Sequence, residues 1–94
     1  MRFVYRVEFE TDSKSGQVTA KLPSLNHTAD FASTAEEAVA NLRDLAVGFI
    51  EVLLDEGKAV PPSDATEGGG VFLALEVREG RRRRKVILNR RART

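Results

Sequence analysis

Between Ser33 and Gly57 the apolar residues Val39, Leu42, Ala46, Phe49, Ile50 and Leu53 recur at intervals of three and four, the spacing of one face of an α-helix. A single amphipathic helix has no second helix to cover that stripe, so it must pack on a sheet. Its ends are marked in the sequence. Ser33 and Thr34 each supply a capping hydroxyl, and each has a glutamate three residues on, Glu36 or Glu37, as a capping box requires. Two acids in the first turn also suit the positive end of the helix dipole. The helix is expected to run through Leu54 or Glu56, with Gly57 as a left-handed cap and Pro61-Pro62 barring continuation. Leu45, Val52 and Leu54 widen the apolar face beyond one stripe. A thin layer of helix on sheet need not cover them all, whereas a subunit contact would.

The rest of the chain alternates with the period of strands. Phe3, Tyr5, Val7 and Phe9 share one face, with Arg2, Arg6, Glu8 and Glu10 on the other. A polar turn from Thr11 to Gly16 leads to Val18, Ala20 and Leu22, which alternate with Gln17, Thr19 and Lys21, so the two strands form an antiparallel hairpin with Lys21 and Thr19 facing the acids of the first. Pro23 lacks an N–H and stops pairing before a short third strand from Thr28 to Ala32. Ser63 to Gly70 reads as a flexible connection. Val71, Leu73, Leu75 and Val77 then alternate in a fourth strand. Glu79-Gly80 makes a turn, and Val86-Ile87-Leu88 within Lys85 to Asn89 can return as a fifth strand, leaving Arg90 to Thr94 frayed. The expected fold class is α+β, β-β-β-α-β, a mainly antiparallel sheet packed on one long helix.

Ninety-four residues and 10.4 kDa allow one modest core and exclude two domains. With 41% hydrophobic and 31% charged residues, the chain is neither a membrane protein nor disordered throughout. It has no cysteine, which excludes a disulfide framework, a thiolate metal site and a cysteine nucleophile. The formal net charge of +1 conceals a split. Residues 1–77 carry six basic residues against 13 acids, a net of −7, and residues 78–94 carry nine against one, a net of +8. Two parts follow: a domain over 1–77 and a basic hairpin strand or arm over 78–94. Each can select a different partner. Charges at Arg2, Arg6 and Glu8 interrupt the apolar run a signal peptide would need, and Leu45 to Leu54 is too short to span a bilayer, so a cytoplasmic location without membrane contact is expected.

Three motifs in order carry a resemblance. Leu22-Pro23-Ser24-Leu25 follows the hairpin, Ser33-Thr34-Ala35-Glu36-Glu37-Ala38 opens the helix, and Asp55-Glu56-Gly57-Lys58-Ala59-Val60-Pro61-Pro62 closes it. Over roughly residues 3 to 77 the chain resembles the HicB-type antitoxin domain. That resemblance implies a partial ribonuclease H-like fold and the neutralisation of a small, basic, RNA-cleaving HicA-type toxin by direct binding. Three positions, at two places, depart from the family pattern. Asn26-His27 stands where the family has Gly-Cys, and Ala32 stands where a glycine usually precedes the helix cap. The 17 residues after Val77 are too few for the operator-binding unit that full-length members carry, which points to the short, stand-alone branch.

Candidate site residues fall into three groups. Glu8, Glu10 and Asp12 share a strand face, with Lys21 opposite, and an acidic face of this kind attracts a basic protein. Its structural alternative is the solvated side of an antiparallel sheet; a Mg²⁺ site would need acids converging from different elements. Arg81, Arg82, Arg83, Arg84 and Lys85, followed by Arg90, Arg91 and Arg93, suit phosphate contacts, without the interleaved aromatics that stack on single strands. The same run also protects a strand edge, or lies on the acidic body of its own or a second copy. Leu45, Val52, Leu54, Val71 and Leu73 are the expected oligomer contacts, on the wide helix face and on a Val71 to Val77 strand that can pair across a two-fold axis. His27, the only histidine, stands alone as a loop residue, and Gly68-Gly69-Gly70 lacks the following Lys and hydroxyl of a phosphate loop.

The expectation is a non-catalytic, HicB-like antitoxin or antitoxin-derived binding module that uses no metal or other cofactor. Its partners would be a small basic toxin and a second copy of itself. The alternative is a small nucleic-acid-binding protein that uses the arginine-rich C-terminus.

Overall fold

The structure, a computed structural model, describes residues 1–78. Five elements follow in the expected order: β1 (Arg2–Thr11), β2 (Val18–Leu22), β3 (Thr28–Ala32), α1 (Ala35–Asp55) and β4 (Val71–Glu76). The turn at Glu79-Gly80, the fifth strand within Lys85 to Asn89 and the segment Arg90 to Thr94 lie outside the described residues.

The sheet order is β3-β2-β1-β4, antiparallel throughout. β1 divides its pairing. Arg2 to Val7 lie against β4, and Glu8 to Thr11 lie against β2. Beside the first half of β1, on the flank away from β4, the segment after the helix takes the place of a strand. The Asp64 N–H donates to the Val4 carbonyl at 2.8 Å, the Val4 N–H to Ser63 Oγ at 3.0 Å, and the Arg6 N–H to Asp64 Oδ2 at 2.8 Å. Ser63 and Asp64 are therefore part of the sheet's edge, which corrects the reading of Ser63 to Gly70 as flexible connection.

One face of the sheet packs on α1. Tyr5, Val7, Ala20, Leu22, Leu73 and Leu75 meet Ala38, Leu42, Ala46 and Ile50, and Leu25 and Val77 close the core. The deepest line of the helix runs through Ala38 rather than Val39, and Phe49 is only half-buried. Two alanines at the contact let the helix backbone approach the sheet, so bulkier neighbours are displaced to the flanks. Of the two available capping residues, Thr34 is the cap. Its Oγ1 accepts the Glu37 N–H at 3.1 Å and donates to Glu37 Oε1 at 3.4 Å. At the other end Gly57, at φ +71°, donates to the Leu54 carbonyl and Lys58 to the Leu53 carbonyl, a Schellman closure that satisfies two carbonyls of the last turn.

The β2–β3 connection buries Leu25 and then turns through Asn26 (φ 54°) and His27 (φ 57°), with the Thr28 N–H donating to the Leu25 carbonyl at 3.0 Å. Two successive positive φ values are the requirement of a type I′ turn, which asparagine tolerates and histidine does not favour. His27→Gly is expected to stabilise the fold by about 0.5–1 kcal/mol, the relieved left-handed strain exceeding the added chain entropy of glycine. Urea unfolding would check it, and a loss of stability would show that the His27 side chain does more than occupy the turn.

Candidate functional site

The sheet face turned away from α1 carries the candidate site. Glu8 and Glu10 project from β1, with Lys21 and Thr19 of β2 as their cross-strand partners. Glu8 and Glu10 are exposed, Thr19 and Lys21 are half-buried, and with Phe9 they line a shallow depression. β3 extends the surface. Ala29 stands opposite Lys21 and Phe31 opposite Thr19, and Phe31 is 55% exposed. Two carboxylates beside an uncovered ring suit a ligand that offers lysine or arginine side chains with apolar stems. Thr19 faces the acids as expected, but neither it nor Phe31 was among the candidate site residues. Their signal was there in the alternation of β2 and β3, but pairing order decides which outward residues become neighbours.

Asp12 is not a third member of this row. It lies past the end of β1, and its carboxylate accepts the Ser15 hydroxyl at 2.7 Å, the Ser15 N–H at 3.3 Å and the Lys14 N–H at 3.4 Å. These bonds, the Ser15 hydroxyl first, hold its pKa below the ordinary carboxylate value. Asp12 thus organises the β1–β2 turn.

At the other end of the same face, Arg6 stacks over Phe72 at 5.7 Å, and Arg2 faces Glu76 at 3.9 Å. Asp64 lies beside them and joins three segments. Besides the Arg6 N–H, it accepts the Ser24 hydroxyl at 2.6 Å. The Ser24 bond, then the Arg6 N–H, lowers the Asp64 pKa. Burial raises the Tyr5 pKa, and the nearby Asp64 charge adds to it. The Asp64 contribution to stability is complete above the unfolded carboxyl value of about 3.9 and is lost as pH falls through the lower folded value. Asp64→Asn is therefore expected to flatten the acid limb of the stability curve below about pH 4, without changing its shape between pH 6 and 8. Urea midpoints across that range would test this, and an unchanged acid limb would contradict it.

The expected oligomer contacts do not form one patch. Leu73 is 3% exposed and faces the core, because the inward register of β4 includes it, so it offers almost no exposed surface of its own. Val71 is 50% exposed at the start of β4. Arg43 reaches the Ala74 carbonyl at 3.4 Å, which identifies the flank of α1 that faces β4. At about 100° per residue, Leu54 and Val47 lie on that flank, while Leu45 and Val52 lie on the opposite one. Leu45 and Val52 are 46% and 49% exposed; Leu54 and Val47 are half-buried against the core. Of the proposed nucleic-acid contacts, Arg81, Arg82, Arg83, Arg84, Lys85, Arg90, Arg91 and Arg93 lie outside the described residues. Among the described residues no three of His, Asp or Glu converge to hold a metal ion, and no helix is long and apolar enough to cross a membrane.

The element order, the pairing and the single covering helix have a counterpart among solved structures. The crystal structure of the N-terminal domain of Burkholderia pseudomallei antitoxin HicB matches with a TM-score of 0.58 and 23% sequence identity, covering 83% of this chain and 99% of that one. The chain has a HicB-like fold. No protein-family model and no curated protein matches it. The HicB-like fold accounts for the three motifs together: Leu22 to Leu25 end the hairpin, Thr34 and Glu37 cap the helix, and Gly57 to Pro62 turn the chain back towards β1.

Proposed function

We propose that this chain is a non-catalytic, HicB-like antitoxin module that acts in the cytoplasm as a homodimer and sequesters a small, basic, RNA-cleaving toxin of the HicA type. The observation that carries this reading is the HicB-like fold presenting Glu8 and Glu10 beside the exposed Phe31. The −7 charge of residues 1–77 supports it, since it would draw a basic protein into encounter. No metal or other cofactor is needed for such a role. The direct test is calorimetric titration of the full chain with a HicA-type toxin encoded beside it, together with inhibition of that toxin's RNA cleavage. One toxin per protomer with cleavage suppressed is expected; absence of binding at micromolar concentration would overturn the reading.

The second reading rests on the nine basic residues in 78–94, which suit phosphate contacts. It is separated from the first by RNA and DNA binding of the full chain at rising salt, compared with a chain ending at Arg78. Equal binding by both removes it.

A further inference from the structure

We propose that two copies of this chain pair along the outer edge of β4, antiparallel across a two-fold axis at Ala74. The proposal rests on the homodimer reading and assigns its seam. Met1 and Val77 exchange both backbone bonds, each at 2.8 Å. Alternation along an antiparallel pair then turns the polar groups of Leu75, Leu73 and Val71 towards β1, and those of Phe72, Ala74 and Glu76 outwards. The other flank of β1 agrees, since the N–H groups of Val4 and Arg6 point away from β4 to Ser63 and Asp64. The two sheet edges are finished differently. On β3 the Phe31 N–H is occupied by the Asp30 carboxylate at 2.8 Å. On β4, among the described residues, the outward row meets only Arg43, which uses one of the two lone pairs of the Ala74 carbonyl. A row of unpaired strand groups is a template for another strand.

The occupant is chosen by the side chains. With Ala74 on the axis, residues 71 to 77 are all paired and about six backbone bonds form. Phe72 then stands beside Glu76 of the second copy. Because Arg6 lies across from Phe72 and Arg2 across from Glu76, each outer row reads Arg6, Phe72, then Glu76 and Arg2 of the second copy. Cation, ring, anion and cation alternate, and the row is repeated by symmetry. On the inner side, half-exposed Val71 meets Val77 of the second copy, and Leu73 lies beside its Leu75, which continues the core across the seam. Val47 and Leu54 lie on the helix flank that faces this edge. The result is an eight-stranded sheet. Both Glu8 and Glu10 rows remain open, since they lie where β1 has passed beyond β4, so one dimer offers places for two basic partners.

The chain has no cysteine, which makes the test direct. In the full chain, light scattering at micromolar concentration is expected to give twice the monomer mass. Ala74→Pro removes only an outward N–H, a change an edge strand tolerates, and is expected to weaken dimerisation at least tenfold while circular dichroism is preserved. Ala74→Cys is expected to be joined to its copy by a short bis-maleimide cross-linker, because a hydrogen-bonded pair sets the two Cβ atoms about 5.5 Å apart, too far for a relaxed disulfide, whereas Ala29→Cys beside the β3 edge is not. If Ala74→Pro fails to fold, the two cysteine variants decide. A dimer in which Ala74→Cys does not cross-link overturns this seam and leaves the homodimer reading standing. A monomeric full chain, as when its own C-terminal segment occupies the edge, overturns both.

Discussion

Tyr5→Ala is expected to cost about 4 kcal/mol, the middle of the range for removing a buried aromatic ring. Tyr5 is fully buried at the middle of β1, opposite Leu73, with its ring stacked on Phe3 at 6.3 Å. Its hydroxyl donates to the Pro61 carbonyl at 2.6 Å. That single side chain therefore joins the core to the segment that returns from the helix and covers the flank of β1. A chain of this length has roughly 5–14 kcal/mol of total stability, so the loss would leave it close to unfolding at room temperature. Tyr5→Phe separates the two contributions. It keeps the ring and removes the hydrogen bond, and a cost of about 1–2 kcal/mol is expected because the Pro61 carbonyl loses its donor. Urea unfolding of both variants would measure this; a Tyr5→Ala loss below about 1.5 kcal/mol would show that Pro61 to Asp64 are held without it.

Reversing both acids of the candidate site, Glu8→Lys with Glu10→Lys, is expected to weaken binding of a basic toxin about 100-fold at low salt, equivalent to about 2.7 kcal/mol. The two carboxylates are exposed, so removing them leaves no buried charge unpaired; Glu8→Lys sets a like charge opposite Lys21, at a cost of at most about 1 kcal/mol, and the fold should be retained. Most of the change should lie in the association rate, since surface charges steer encounter more than they hold the docked complex. Raising the salt to about 0.5 M should shrink the difference several-fold, because the screening length then falls to a few ångströms. Glu36→Lys with Asp44→Lys makes the same change in net charge from exposed positions on α1 and serves as the control. Equal losses in the two double variants would mean that overall charge, rather than this face, draws the partner.

Much of this architecture can be read from residue order. The alternation of β1 and β4, the Thr34 and Glu37 cap and the Gly57 exit are local features, each set within a few residues by backbone geometry and side-chain reach. That Lys21 and Thr19 face the acids of β1 also followed, because a short polar turn joins the two strands in a hairpin, although the register Glu8 to Lys21 came from the structure. Of the departures, that at Asp12 was local and the others were not. Asp12 read as the end of an acidic row, but the turn it caps begins one residue after the strand. Ser63 and Asp64 looked like linker because their partners, Val4 and Arg6, are about sixty residues away. Leu73, read as an oligomer contact, became core because β4 presents that register to the helix.

By itself the sequence determined the elements, their order and the opposed charges of the two parts, since these depend on period, capping and composition. Only the tertiary structure decided which outward-facing residues became neighbours. Phe31 joined the Glu8 and Glu10 row through β2, and Leu45 and Val52 were separated from Val71 by the width of the helix. The physical reason is that a strand's alternation specifies a face, whereas a surface is assembled by the order in which strands pair. That order is fixed by the burial of Tyr5, Leu22, Leu42 and Leu75 in one core.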